Sequence, residues 1–322
     1  MAQQVSRRML IGVALLLMGP ALASAQAIFN PKDWDGKEGP GARSWIAERA
    51  KLPPFTAPRT ADGQPNLQGR WGGTWSGDDI EEIPSFLDIT TPPWESYVSN
   101  PANGKIPYQP WASAERNAHR EGLGREAWSK DPTKRLYYDP QAFCMKNVPR
   151  YSERGYELVQ TKDSVIMMLN WGHIYRVVPL DNEPRPSSAV RMWMGNARGR
   201  FEGDTLVIET TNLNGKMWLD SGGNFIGPNA KVTERIRLVS SNDLDYQATI
   251  DDPETFTQPW TLTARQRRQG AGGGQGGGGN AVRDPYAAES WEHACHEGNG
   301  EHEEEIQKLG FKWYLPPTAP KK

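Results

Sequence analysis

Lys231-Val232-Thr233-Glu234-Arg235-Ile236-Arg237-Leu238-Val239 is the stretch on which the fold turns. Val232, Ile236 and Leu238 recur on a period of two, so the segment reads as a half-buried strand. Glu234 falls on the face of those aliphatics, whereas Arg235 and Arg237 fall on the other. The carboxylate is therefore expected to point inward.

The same period runs outward in both directions. Strands are expected at Tyr156–Thr161, Val165–Val178, Ala189–Met194, Thr205–Asn212, Lys231–Val239, Asp245–Ile250 and Trp260–Arg265. Turn chemistry separates several of them: Lys162-Asp163, Glu202-Gly203-Asp204, Ser241-Asn242-Asp243 and Asp252-Pro253. Short strands at this spacing, with no helices between them, imply an antiparallel meander. A closed or nearly closed barrel is the arrangement that hides its edges. Upstream, Gly69-Arg70-Trp71 has the Gly-x-Trp form that opens the first strand of lipocalin-like barrels, where the Trp plugs the floor.

The rest of the chain reads as additions to that barrel. Residues 26–65 are rich in Pro, Gly and charge and read as an extended arm, with one short helix at Ala42–Arg49. Pro110–Glu121 reads as a helix with Pro in its first turn. Residues 66–322 read as a single β domain. Gly270–Gly279 is low-complexity and expected to be a flexible loop, and Glu303–Leu309 is expected to be a short C-terminal helix.

Residues 1–25 read as a signal peptide: Arg7 and Arg8, an apolar run from Met9 to Met18, then Ala23-Ser24-Ala25. Ser6-Arg7-Arg8-Met9-Leu10-Ile11 resembles a twin-arginine export signal, although two arginines also simply supply charge. The expected location is the periplasm or the exterior. Removing the leader leaves 35 basic against 39 acidic residues, a mildly acidic balance that favours neither nucleic acid nor an anionic membrane as partner. No transmembrane segment is expected in the mature chain. The two cysteines, Cys144 and Cys295, are expected to form a disulfide in an oxidising compartment, with free thiols as the alternative.

Three stretches resemble a family of exported bacterial proteins without an assigned activity. They are Met194-Gly195-Asn196-Ala197-Arg198-Gly199-Arg200-Phe201-Glu202-Gly203-Asp204-Thr205-Leu206-Val207, Asp251-Asp252-Pro253-Glu254-Thr255-Phe256 and Ala294-Cys295-His296-Glu297-Gly298-Asn299. The resemblance implies an exported lipocalin-like domain and assigns no catalytic residue. The glycine tract departs from the family pattern.

Candidate chemistry follows from strand faces. If Val165–Val178 is one strand, Val165, Met167, Leu169, Trp171, His173, Tyr175 and Val177 share a face. The face of Leu206, Ile208 and Thr210 ends at Asn212, so His173, Glu234 and Asn212 are expected to share the barrel interior. A buried carboxylate beside an imidazole suits general acid–base catalysis, with His296 as a third candidate. The structural reading is that Glu234 pairs with an arginine, Arg150 or Arg176. Arg150 is otherwise an anion clamp or a surface residue. Trp218-Leu219-Asp220-Ser221-Gly222-Gly223-Asn224 reads as a loop at the barrel mouth, where Asp220 orients a ligand or makes turn hydrogen bonds. Trp171, Tyr175, Arg176 and Trp218 complete the candidate ligand-binding set.

If the segment around Cys295 were helical, His293 and His296 could face one metal, but two ligands are too few for a zinc site, and no metal or cofactor is expected. No nucleophile elbow, zincin helix, phosphate loop or dinucleotide fingerprint is present. Two functions follow: a barrel that binds a small apolar, aromatic or sugar-like molecule, and a cofactor-independent lyase, isomerase or hydrolase built on His173 and Glu234.

Overall fold

The computed structural model describes residues 41–72, 79–81, 95–123, 139–169, 172, 174–181, 183–269 and 308. Its ten strands are β1 (Gly69–Gly72), β2 (Val98–Asn100), β3 (Tyr156–Gln160), β4 (Ser164–Leu169), β5 (Tyr175–Pro179), β6 (Asn196–Glu202), β7 (Thr205–Thr211), β8 (Lys231–Ser240), β9 (Asp243–Asp251) and β10 (Trp260–Arg268). Every pairing is antiparallel, in the order β5-β4-β3-β1-β10-β9-β8-β7-β6, with β2 added on β10. This is a lipocalin-like, nearly closed nine-strand barrel, as the sequence pattern predicts.

The gap in the barrel lies between β5 and β6. There Gly199 lets the strands approach: a Cβ at that position would stand 2.8 Å from Val178 Cγ1 and 2.9 Å from Leu180 Cδ2. Arg198 reaches across to Asp181 at 3.5 Å, and Arg185 donates to the Asn196 carbonyl at 2.6 Å. Side chains rather than a hydrogen-bond ladder thus draw the two edges together.

Inward positions of β8 alternate as expected, with Val232, Glu234, Ile236 and Leu238 all buried. On β9 the inward set is Leu244, Tyr246, Ala248 and Ile250. Trp71 is fully buried, donating to the Leu67 carbonyl at 2.9 Å. The Arg268 guanidinium lies 4.2 Å over its ring and donates to the Ser241 and Gln68 carbonyls. A cation over an indole face is favourable, so this arginine seals the Trp beneath the β8–β9 turn.

Helix α1 (Ala42–Arg49) has the bounds expected of it and covers the outer face of β9 and β10. Trp45 Nε1 donates to Asp245 Oδ1 at 2.9 Å, and Arg49 pairs with the same carboxylate. The Glu95 carboxylate accepts from Gly41 N and Ser44 N and so occupies orphan amides at the helix N-terminus. Its burial opposes ionisation, yet the bonds from Ser44, Gly41 and Arg43 hold its pKa below the usual range. Helix α2 spans Pro110–Leu123, two residues beyond the expected end.

Two expectations about strands are corrected. Val165–Val178 is a hairpin, not one strand: β4 ends at Leu169, Gly172 takes a left-handed φ of 76°, and β5 starts at Tyr175. Met167 then pairs with Arg176, and Met168 with Tyr175. Cross-strand partners share a face, so the turn resets the inward parity from odd to even. Ala189–Met194 is not a strand; the next strand is β6, whose Asn-Ala-Arg-Gly-Arg-Phe-Glu lacks β-branched residues. The three-residue β2 was also not anticipated.

Candidate functional site: the barrel interior and its mouth

Inside the barrel, Glu234 is fully buried and accepts from three side chains. Tyr151 Oη donates to Oε1 at 2.6 Å, Tyr246 Oη to Oε1 at 2.9 Å, and Arg176 Nη2 to Oε2 at 2.6 Å. Glu234 stands opposite Ile208 on β7 and Ala248 on β9. Its arginine partner is Arg176, whereas Arg150 pairs with Asp139. Burial, and next the charge of Glu234, push the Tyr151 and Tyr246 hydroxyls well above their ordinary pKa, so both remain donors.

Arg176 is 4% exposed and inward because of the parity change at Gly172. Burial opposes its charge, but Glu234 and Tyr151 outweigh that and raise its pKa. Its guanidinium lies 4.8 Å over the Tyr151 ring, and Nη2 also donates to Thr210 Oγ1 at 2.8 Å. Nη1 meets only the Met167 thioether, at 3.9 Å, and Nε has no hydrogen-bond partner among the described residues.

Tyr151 comes from a 3-10 turn, Arg150–Arg154, that enters the barrel before β3. The turn is closed by Tyr151 N donating to Asn147 O at 3.0 Å. Its first residue, Arg150, points away from Glu234 and is neither a surface residue nor a clamp with unused donors. It is fully buried, forks onto Asp139 at 2.9 and 2.7 Å, and donates to Ser221 Oγ at 3.0 Å. The bidentate geometry that suits arginine to carboxylates thus ties this turn to the 218–224 loop.

That loop packs against α2 and the 79–81 segment. Asp220 Oδ1 accepts from Asn224 N at 3.0 Å, the turn bond expected of it. Asp220 Oδ2 accepts from Ile80 N at 2.8 Å and Asn224 Nδ2 at 2.6 Å. Asn224 Nδ2 also reaches Asp79 Oδ1 at 3.4 Å, so one amide bridges two buried carboxylates. Arg120 Nη2 holds Asp79 Oδ2 at 2.5 Å, while Arg116 and Tyr108 donate to Asn224 Oδ1. Burial, followed by the nearby Asp79 charge, raises the Asp220 pKa from 3.8 to about 7.

His119 on α2 was not anticipated. It is fully buried, stacked on Trp218 at 4.7 Å, with Nδ1 3.0 Å from the Gly223 carbonyl and Nε2 3.2 Å from Glu115 Oε1. Both ring nitrogens face acceptors, and the His119 hydrogen bond holds the Glu115 pKa below the usual range. The available signal was Glu115 and His119 four apart on one helix, placed next to Arg116 and Arg120.

The remaining candidates separate. Tyr175 is 70% exposed and lies on the outer face with Val177, so its expected inward orientation is overturned by the hairpin. Asn212 does not share the interior with Glu234. Its φ of 60° takes it out of β7, and its Nδ2 donates to the Ser187 and Val190 carbonyls at 2.8 and 2.9 Å. Trp218 is fully buried, packed with Ala112 and Phe225. Trp171, His173, His296 and Cys295 lie outside the described residues, as do residues 1–40, the 270–279 tract and all but Lys308 of the expected 303–309 helix. Cys144 is fully buried, and no free cysteine occurs among the described residues. These residues also contain no metal-ligating cluster and no helix long and apolar enough to cross a membrane.

Compared with known protein families, curated proteins and solved structures, the chain matches none significantly.

Proposed function

We propose that this chain is an exported, lipocalin-like protein that binds a small apolar or aromatic molecule in its barrel. One observation carries the reading: the two halves of the interior ion pair are unequally satisfied. Glu234 meets three donors, whereas Arg176 leaves Nε unpartnered among the described residues and Nη1 on a thioether. A carboxylate bound on this many sides is a poor general base, because the proton it would take has few lone pairs left to reach. An arginine with donor capacity in an apolar, tyrosine-lined interior is suited to recognition.

Export, the leader at residues 1–25, a Cys144–Cys295 disulfide and membership of the exported family belong to the same proposal. They rest on the sequence patterns, together with the burial of Cys144. A disulfide closing so long a loop would stabilise by about 5 kcal/mol on the chain-entropy model.

The test is titration of the purified mature chain with small aromatic and apolar compounds, followed by tryptophan fluorescence and by backbone amide NMR shifts. Saturable shifts clustered on β4, β5 and β8 support the reading. If toluene, indole and benzamide at millimolar concentration all leave the spectrum unchanged, the binding function is refuted. If a compound is instead turned over and Glu234→Gln abolishes that turnover with the fold intact, the acid–base function replaces it.

A further inference from the structure

Asp220 is fully buried, yet its three hydrogen-bond donors, the Ile80 amide, the Asn224 amide and Asn224 Nδ2, are all neutral. No cation among the described residues pairs with it. The surrounding arginines are already matched to other carboxylates: Arg120 to Asp79, Arg116 to Glu81 at 3.8 Å, and Arg150 to Asp139. On α2, His119 faces the Gly223 carbonyl and Glu115, and the Tyr108 hydroxyl bonds Asn224. Asp220 is thus the carboxylate left over. Its Asn224 amide is shared with Asp79, so two acids draw on one group. A buried carboxylate without a cation takes up a proton rather than stand charged.

Three segments meet at this residue. Oδ2 holds Ile80, and Asn224 is held in turn by Tyr108 and Arg116. On either side of Asp220, the Trp218 carbonyl and Ser221 Oγ accept from Arg150 at 3.4 and 3.0 Å. The next residue, Tyr151, donates to Glu234 at 2.6 Å. A continuous run of bonds therefore leads from the 218–224 loop to the interior ion pair.

We infer that Asp220 is a proton-operated clasp, which fastens the 218–224 loop to the 79–81 segment when protonated and releases both, loosening Tyr151, when ionised. The ionised form stands beside the Asp79 charge with no cation of its own, and opening the loop to water relieves burial and repulsion together. Closure is therefore linked to proton uptake. Burial, then Asp79, raise the Asp220 pKa from 3.8 to about 7, so closure is complete below the lower value and is lost as pH rises through the upper one. For an exported chain, such a clasp would report the pH of its surroundings. It operates with or without a ligand in the barrel.

The experiment is NMR on the full mature chain between pH 5 and pH 8. The Asp220 carboxyl carbon is expected to titrate with a midpoint near 7. The Ile80 and Asn224 amides should exchange by local opening, with protection below that of β8 and independent of urea. That protection should fall at least tenfold across the range, with the Tyr151 amide falling in step, and Asp220→Asn should abolish the fall. Should that variant not fold, Asp79→Asn is expected to lower the carboxyl midpoint by removing the neighbouring charge. A midpoint near 4, or Ile80 and Asn224 protection that tracks β8 at every pH, overturns the clasp. A midpoint unmoved by Asp79→Asn does the same. Constant Tyr151 protection while the other two fall overturns transmission into the barrel.

Discussion

Arg176 Nη2 and Glu234 Oε2 stand 2.6 Å apart in the barrel interior, with side-chain exposures of 3% and 0%. Removing one member of a buried pair strands the other charge, which costs about 3–5 kcal/mol. Glu234→Gln is therefore expected to lower the unfolding free energy by that amount in urea titrations. The double variant Arg176→Met, Glu234→Leu removes both charges and is expected to recover most of the loss. A Glu234→Gln cost below about 1 kcal/mol would contradict an ionic pair of the kind that buried bridges form.

The mouth is expected to respond to pH. Asp220 binds its proton more tightly in the folded chain, with a pKa of about 7 against an ordinary 3.8. The stability this supplies is complete below the unfolded value and lost as pH rises through 7. The groups facing it are Asp79, Asn224, the Ile80 amide and Arg150. The melting temperature should accordingly decline between pH 5 and pH 8, and Asp220→Asn should flatten that decline. An identical slope in wild type and variant would place the titration elsewhere.

Barrel closure depends on the missing side chain at Gly199. Gly199→Val sets a Cβ 2.8 Å from Val178 Cγ1, and packing beyond the space available costs about 1–3 kcal/mol. The expected readout is a lower urea midpoint with faster amide exchange along β5 and β6. Unchanged exchange there would mean that the two edges do not depend on this contact.

Tyr175 offers a direct test of the hairpin parity. Because it is 70% exposed on the outer face, Tyr175→Ser is expected to change stability by no more than about 0.5 kcal/mol. Loss of a buried aromatic would cost about 3–5 kcal/mol instead, and a value in that range would restore the inward orientation.

Arg268→Ala uncovers Trp71, on whose face the guanidinium rests at 4.2 Å. The stacked cation is worth about 0.5–2 kcal/mol. The variant is expected to lose stability in that range and to shift the tryptophan emission to longer wavelength. An unaltered spectrum would show that Trp71 is shielded without it.

Much of the barrel was legible because strand alternation is local: a residue's face follows from counting in twos along β3, β7, β8, β9 and β10. The inward position of Glu234 needed no more than that. The count fails wherever the chain turns. At Gly172 the parity is reset, which brings Arg176 inside and puts Tyr175 outside. β6 escaped because its strand character comes from seven paired positions on β7 rather than from its own residues.

The alternation of apolar residues by itself determined an antiparallel barrel and an inward carboxylate, since burial of one face is a short-range property of each strand. Which group meets that carboxylate was decided only by the tertiary structure. Tyr151 and Arg176 lie 83 and 58 positions from Glu234. Likewise, Asn224 bridges Asp220 to Asp79 across 145 positions. No local pattern encodes contacts at such separations, because they depend on how loops of unspecified length are closed over a finished barrel.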